Sequence, residues 1–287
     1  MPEMFEVLEN TILADQVRRY RVHAPEIARR RKAGQFVIVR IDENGERIPL
    51  TIADADPQEG SITLVVQEVG KTTMRMTLLE PGERLRDVVG PLGAPTHVDK
   101  LGTVVMVGGG IGIAPAHPIA QAMRAAGNRV VSILGARTQD LLIMEPEMRA
   151  ASDEVLICTD DGSYGRHGLV TDVLRDLIEE QGKPDLVVAI GPVIMMKFVS
   201  KLTREYGIRT VVSLNPIMVD GTGMCGGCRV SVGGKTRFAC VDGPEFDGHQ
   251  VDFEELTKRQ AFYREQESES HSCFRAECRE KGLIDNR

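Results

Sequence analysis

The sequence predicts a β barrel, then a doubly wound parallel α/β domain, then a small cysteine-bearing module and a charged tail. Three observations lead there. Short β-branched runs broken by turn formers fill the first third. Long apolar runs alternate with helical patterns in the middle. Near the end, Cys225, Cys228 and Cys240 crowd into a glycine-rich stretch.

The barrel is expected over residues 1–97. Phe36-Val37-Ile38-Val39-Arg40-Ile41 and Ile62-Thr63-Leu64-Val65-Val66 have the β-branched content of strands, and Asp42-Glu43-Asn44-Gly45 and Asp56-Pro57-Gln58-Glu59-Gly60 supply turns. Several short strands at this spacing suit a small closed sheet. The α/β domain is expected over 98–212. Thr103–Val107, Val130–Leu134, Val155–Cys158 and Leu186–Ile190 are continuous apolar runs separated by helical patterns, as in a parallel sheet covered on both faces. Residues 213–250 form the cysteine module and 251–287 a charged tail.

Composition excludes several classes. The 287 residues are 42% hydrophobic and 27% charged, ordinary for a soluble globular chain. A net charge of −7 and 4% aromatics with no Trp argue against nucleic-acid binding. No apolar run reaches membrane-span length, and the N-terminus lacks a secretory pattern, so a cytoplasmic protein with no membrane partner is expected. In a reducing compartment, clustered cysteines point to metal before disulfide.

The nucleotide site is predicted where strands end. Gly108-Gly109-Gly110-Ile111-Gly112-Ile113-Ala114-Pro115 follows a strand and opens a helix. Glycines there let the backbone turn tightly and approach a pyrophosphate, whose charge the helix N-terminus favours. Gly135-Ala136-Arg137 and Gly191-Pro192, with Met195 beyond, follow two further strands at the edge where open α/β sheets bind ligands. Arg137 is a candidate for a ribose 2′-phosphate, but Asp140 close behind it favours NAD(H). Taken by itself, Met195 reads better as helix packing.

Asp220, Cys225, Cys228 and Cys240 are spaced D-x4-C-x2-C-x11-C. Iron–sulfur ligands commonly run C-x4-C-x2-C…C, so Asp stands here in the first position of a [2Fe–2S] set. The intervening glycines let backbone N–H groups reach bridging sulfides. A structural zinc held by three Cys and one Asp is the competing reading, and a turn with incidental thiols the third. Cys158 reads as a buried small hydrophobe, His249 as a surface residue, and Cys273 and Cys278 as solvated thiols of a polar tail.

The order of motifs then carries a resemblance that spans nearly the whole chain. Arg47-Ile48-Pro49-Leu50-Thr51-Ile52 resembles the flavin-binding motif of the ferredoxin–NADP reductase superfamily. Val69-Gly70-Lys71-Thr72-Thr73 resembles its second flavin-phosphate loop, with Thr72 where a glycine is usual. Thr159-Asp160-Asp161-Gly162-Ser163 resembles a loop beside the nicotinamide. The resemblance implies FAD on the barrel, with Arg47 pairing with the pyrophosphate through its planar fork and Thr51 near the isoalloxazine. The alternative for Gly70–Thr73 is a helix cap with Thr73 as N-cap.

Asn215-Pro216-Ile217-Met218-Val219-Asp220-Gly221-Thr222-Gly223-Met224-Cys225 and Asp242-Gly243-Pro244-Glu245-Phe246-Asp247-Gly248 resemble the small subunit of NADH-dependent ferredoxin:NADP oxidoreductase, also known as a sulfide dehydrogenase subunit. That family carries Asp at the first ligand position, where the related dihydroorotate dehydrogenase electron-transfer subunit has Cys. The resemblance implies hydride exchange between NAD(H) and FAD, single electrons through the cluster, and a larger flavin/iron–sulfur partner subunit. Ferredoxin would be reached through that complex by electron bifurcation. The alternatives are service in a dihydroorotate dehydrogenase or a sulfhydrogenase complex.

Overall fold

The β-branched runs of the first third form six antiparallel strands: β1 (Val7–Ala14), β2 (Val17–His23), β3 (Phe36–Arg40), β4 (Arg47–Asp56), β5 (Ser61–Gln67) and β6 (Asp87–Leu92). They pair in the order β1-β2-β5-β4-β3-β6. The structure, a computed structural model, describes residues 3–284. Alternation decides which residues are inside: on β3, Val37 and Val39 face the barrel core with Val22, Ile52 and Leu64. Phe36 and Ile38, on the opposite face, join a separate apolar cluster.

Two short helices decorate the barrel, α1 (Pro25–Arg30) and α2 (Lys71–Thr77). Gly70 is the N-cap of α2, and Thr73 lies in its first turn. The Thr73 hydroxyl reaches back to accept from the Val69 and Gly70 N–H groups, each at 3.0 Å. Thr73 is therefore not the N-cap itself. It satisfies donors that the helix start would otherwise leave open.

The α/β domain is built from β7 (Thr103–Gly109), α3 (Ile113–Ala125), β8 (Arg129–Ala136), α4 (Glu145–Ala151), β9 (Glu154–Thr159), β10 (Arg166–His167), α5 (Val170–Gln181), β11 (Leu186–Ile190), α6 (Val193–Tyr206) and β12 (Thr210–Ser213). Its sheet runs β10-β9-β8-β7-β11-β12 and then takes a further strand. The chain winds outward from β7 in one direction and from β11 in the other. A crevice therefore opens beyond the carboxyl ends of these two strands, where ligands of such sheets bind.

Beyond β12 come a hairpin, β13 (Arg229–Val232) and β14 (Lys235–Phe238), then β15 (Glu245–Asp247), α7 (Phe253–Gln260) and α8 (Arg264–Glu280). β15 adds antiparallel to β12 as the seventh strand of the large sheet, so a segment outside 98–212 completes it. The tail is largely two helices. Asp252 caps α7 by accepting from the Glu255 N–H at 2.9 Å, and α8 returns to pack on α2. Cys278, expected in solvent, is buried at 1% exposure on the packed side of α8, while Cys273 is exposed.

Three links pin barrel to α/β domain. Buried His117 on α3 shares a hydrogen bond with the Ala53 carbonyl of β4 at 3.1 Å. Arg19 pairs with Glu147. The Thr96 hydroxyl donates to Glu245 at 2.5 Å. Among the described residues no helix is long and apolar enough to cross a membrane.

Candidate functional site

The glycine loop after β7 is a packing device as well as a turn. A Cβ on Gly112 would strike the Ile190 carbonyl oxygen, and one on Gly109 would strike the Met195 sulfur. Gly108, buried within β7, would press on Ile113 Cα at 3.0 Å. These contacts let α3 start flush against the ends of β7 and β11. Gly110 alone has open space around it and a φ of +55°, so its peptide can face outward without a side-chain penalty.

Outward is a cavity of about 900 Å³ between the domains. The barrel contributes Pro49, Leu50 and Thr51 of β4. The α/β domain contributes Gly109, Gly110 and Gly112 with Ala114 and Pro115, and the carboxyl ends of β8 and β11 bring Gly135, Ala136 and Arg137, and Gly191, Pro192 and Met195. Asp160 also lies on the wall. Residues from the two predicted sites, distant in sequence, thus share one space large enough for cofactor-sized molecules.

Four groups of predicted residues stand off the wall. Gly108 is inside the strand. Asp161 braces the loop: its carboxylate accepts from the Ser163 N–H at 3.0 Å and hydroxyl at 2.7 Å, which holds it below the usual carboxylate range. Ser163 Oγ in turn accepts from the Gln139 N–H at 2.9 Å, tying this loop to the one carrying Arg137. Arg47 is exposed at the start of β4, and Val69–Thr73 open α2. The buried Thr72 hydroxyl donates to Glu46 at 2.5 Å, which brings the α2 start beside Arg47.

The wall also holds residues the motif reading missed: Phe36, Asn215, Met218 and Pro244. Phe36 pairs across β3–β4 with Thr51, a neighbourhood that strand register would have revealed. Met218 comes from an irregular loop, where periodicity offers no signal.

At the third module, Cys228 and Cys240 are buried, with their sulfurs 3.1 Å apart. Burial, and then the Cys228 thiol beside it, push the Cys240 thiol up to about 12, so it keeps its proton at neutral pH until a metal displaces it. Cys225 is exposed, and the Gly227 N–H points to its sulfur at 3.4 Å. Asp220 accepts from the Thr222 and Cys225 N–H groups, each at 2.8 Å, and these hold its carboxyl below the usual range. Among the described residues, no three His, Cys, Asp or Glu converge as ligands of a single metal ion. The side chains instead form two pairs, Cys228 with Cys240 and Cys225 with Asp220. A two-iron cluster takes two ligands per iron, so this donor set fits the cluster better than one tetrahedral zinc.

Cys158 is buried, and burial pushes its thiol up to about 11, in line with a packing role. His249 is half-buried, its Nε2 3.0 Å from the Thr203 hydroxyl.

A barrel and a doubly wound domain facing one cavity, with a thiol-rich module at its side, define the class: a reductase-type flavoprotein. Residues 106–201 match the oxidoreductase NAD-binding domain family, and 215–252 match the iron–sulfur cluster binding domain of dihydroorotate dehydrogenase B. The chain is 52% identical to a Thermotoga maritima homologue of the dihydroorotate dehydrogenase B electron-transfer subunit, over 94% of this chain and 95% of that one. It is 35% identical to the Geobacillus thermodenitrificans electron-transfer subunit of that enzyme, covering 87% and 98%. A solved structure of NADH-dependent reduced ferredoxin–NADP oxidoreductase superposes with a TM-score of 0.91 at 49% identity, covering 96% of this chain and 99% of that one. The fold alone recurs in an Amycolatopsis cytochrome P450 reductase, at 23% identity and a TM-score of 0.60 over 70% and 64% of the two chains. This chain belongs to the family of dihydroorotate dehydrogenase B electron-transfer subunits and their homologues. It is an oxidoreductase subunit whose cofactors are NAD(H), FAD and an iron–sulfur cluster.

Proposed function

We propose that the chain exchanges hydride between NAD(H) and FAD and passes single electrons through a [2Fe–2S] cluster to a larger flavin/iron–sulfur partner subunit. The complex would be a bifurcating NADH-dependent ferredoxin:NADP oxidoreductase. The observation that carries this is the single cavity whose walls come from all three modules: Thr51 of the barrel, Gly110 of the α/β domain, and Met218 and Pro244 of the third. Flavin, when bound, supplies the exchange between two-electron hydride and one-electron chemistry.

The chain's own residues bind and position. Arg47 and the α2 start take the flavin phosphates, with Thr73 keeping that helix start ordered and Thr51 at the ring. The Gly109–Gly112 backbone takes the dinucleotide pyrophosphate, with Met195 flooring the crevice between Gly109 and Gly191. Asp220, Cys225, Cys228 and Cys240 hold the cluster. Supporting the bifurcating complex is the 49% identity to the ferredoxin–NADP oxidoreductase chain together with Asp, not Cys, at position 220. The names of other relatives support the second reading, a dihydroorotate dehydrogenase complex.

The first test is the absorption spectrum and metal analysis of anaerobically purified protein. Flavin with about two irons and two sulfides per chain, bleached by NADH, is expected. A colourless chain with about one zinc sinks the reading. With the partner bound, cluster reduction by NADPH with ferredoxin as second acceptor, rather than by dihydroorotate, separates the two complexes.

A further inference from the structure

β3 is a strand with two different clients. Val37 and Val39 face the barrel core, while Phe36 and Ile38, two residues apart and so on one face, pack into the apolar cluster that contains Cys228 and Cys240. The cysteine loop is seated on that face. A Cβ on Gly221, whose φ is +76°, would fall 2.8 Å from Ile38 and 2.7 Å from Leu92, so only glycine lets the loop lie this close. Met218, 5% exposed, belongs to the same cluster.

Phe36 and Met218 have a second allegiance. Both line the inter-domain cavity, and Phe36 pairs in register with Thr51, which we assign to the flavin ring. They therefore form one apolar layer with the cavity on one side and the buried thiols on the other. We propose that Met218 and Phe36 are the partition between flavin and cluster: positioning residues that fix the electron-transfer gap and keep water from the cluster's inner side. This rests on the electron-transfer reading above.

Two physical consequences follow. Electron tunnelling weakens steeply with distance and with voids in the intervening medium, and a partition packed to interior density leaves none. Cluster potential rises when polar groups or water reach the sulfurs, because the more negative reduced state is then better solvated. Met suits the position because its flexible thioether fills an irregular gap.

The test uses the full chain purified anaerobically with FAD and cluster. NADH is mixed rapidly, flavin bleaching is followed by absorbance, and cluster reduction by freeze-quench electron paramagnetic resonance. Met218→Ala is expected to slow cluster reduction roughly tenfold relative to flavin bleaching in the same sample, as a void replaces the contacts of a packed side chain. Met218→Leu, which keeps the volume, restores the rate, and Met218→Gln raises the cluster midpoint potential. If Met218→Ala does not load its cluster, Phe36→Leu, on the barrel strand and outside the cysteine loop, carries the same expectation of slowed cluster reduction. An unaltered rate with full iron content in Met218→Ala or Phe36→Leu overturns the proposal. Failure of NADH to reduce the wild-type cluster at all overturns the underlying function instead.

Discussion

The nucleotide loop and the cluster loop are both glycine-rich, yet they are built on opposite principles. At Gly108–Gly112 the backbone is the site. Gly108, Gly109 and Gly112 each sit against something already in the fold, such as the Ile190 carbonyl or the Met195 sulfur, and the loop is held by strands whose central residues, Val104–Val107 and Val187–Ala189, are 0–1% exposed. At Asp220–Cys240 the side chains are the site. Two of the cysteines flank a two-stranded hairpin, and two buried thiols lie 3.1 Å apart, with burial raising the proton affinity of Cys240. The lesson is that a backbone site exists before its ligand, whereas a thiol site is completed by its metal.

That contrast can be broken most forcefully at Gly112. Gly112→Val drives two methyls into the Ile190 peptide and should cost about 3 kcal/mol, the upper end for overpacking, with NADH binding lost. Thermal melting and NADH titration read it, and retained binding would mean that the loop is less preformed than its geometry implies.

Cys228→Ala comes next and should act in the opposite way. Iron and sulfide content should fall to background and hydrogen-exchange protection should drop in 215–252, while protection of β7, β8 and β11 stays as in wild type. Protection lost across the large sheet would show that the cluster stabilises the α/β domain as well, and the two regions would no longer be independent.

Thr73→Ala tests a third arrangement, a helix start held by one hydroxyl. About 1 kcal/mol of stability and a several-fold slower rebinding of FAD are expected, with NADH affinity unchanged.

The smallest effect lies at the seam. Glu245 on β15 is largely enclosed, and burial raises its carboxyl above the usual 4.5 while the Thr96 hydroxyl partly opposes this. A raised folded-state value means that the neutral form favours folding. That contribution is complete below about pH 4.5 and is lost as pH rises through the folded value. Glu245→Gln stays neutral, so its melting temperature should exceed wild type at pH 7, and the gap should close towards pH 4. A constant gap across this range would remove ionisation as the cause.

Much of this was legible before folding because it depends on local geometry. The strand ends at Gly109, Gly135 and Gly191 announce themselves as apolar runs that stop on glycine, and the sheet gathers them at one edge for topological reasons alone. The approach of the α2 start to Glu46, next to Arg47 in sequence, was not foreseeable, since the Thr72–Glu46 bond links segments 26 residues apart. β15 was invisible: Glu-Phe-Asp is too short to show a period, and it is a strand because β12 offers it an open edge. Cys278 looked solvated because α8 is polar on most sides, and its burial is a property of α2's surface rather than of its own neighbours in sequence.

Residue order therefore determined the cofactor chemistry, because glycines at strand ends, a forked cation before a proline and thiols at fixed spacing are chemical requirements that short segments satisfy alone. Only tertiary packing decided that Thr51, Gly110 and Met218 share one cavity, and that Phe36 and Met218 stand between that cavity and the thiols. Distances between modules arise from burial of apolar surface over long sequence separations, and no local pattern encodes them.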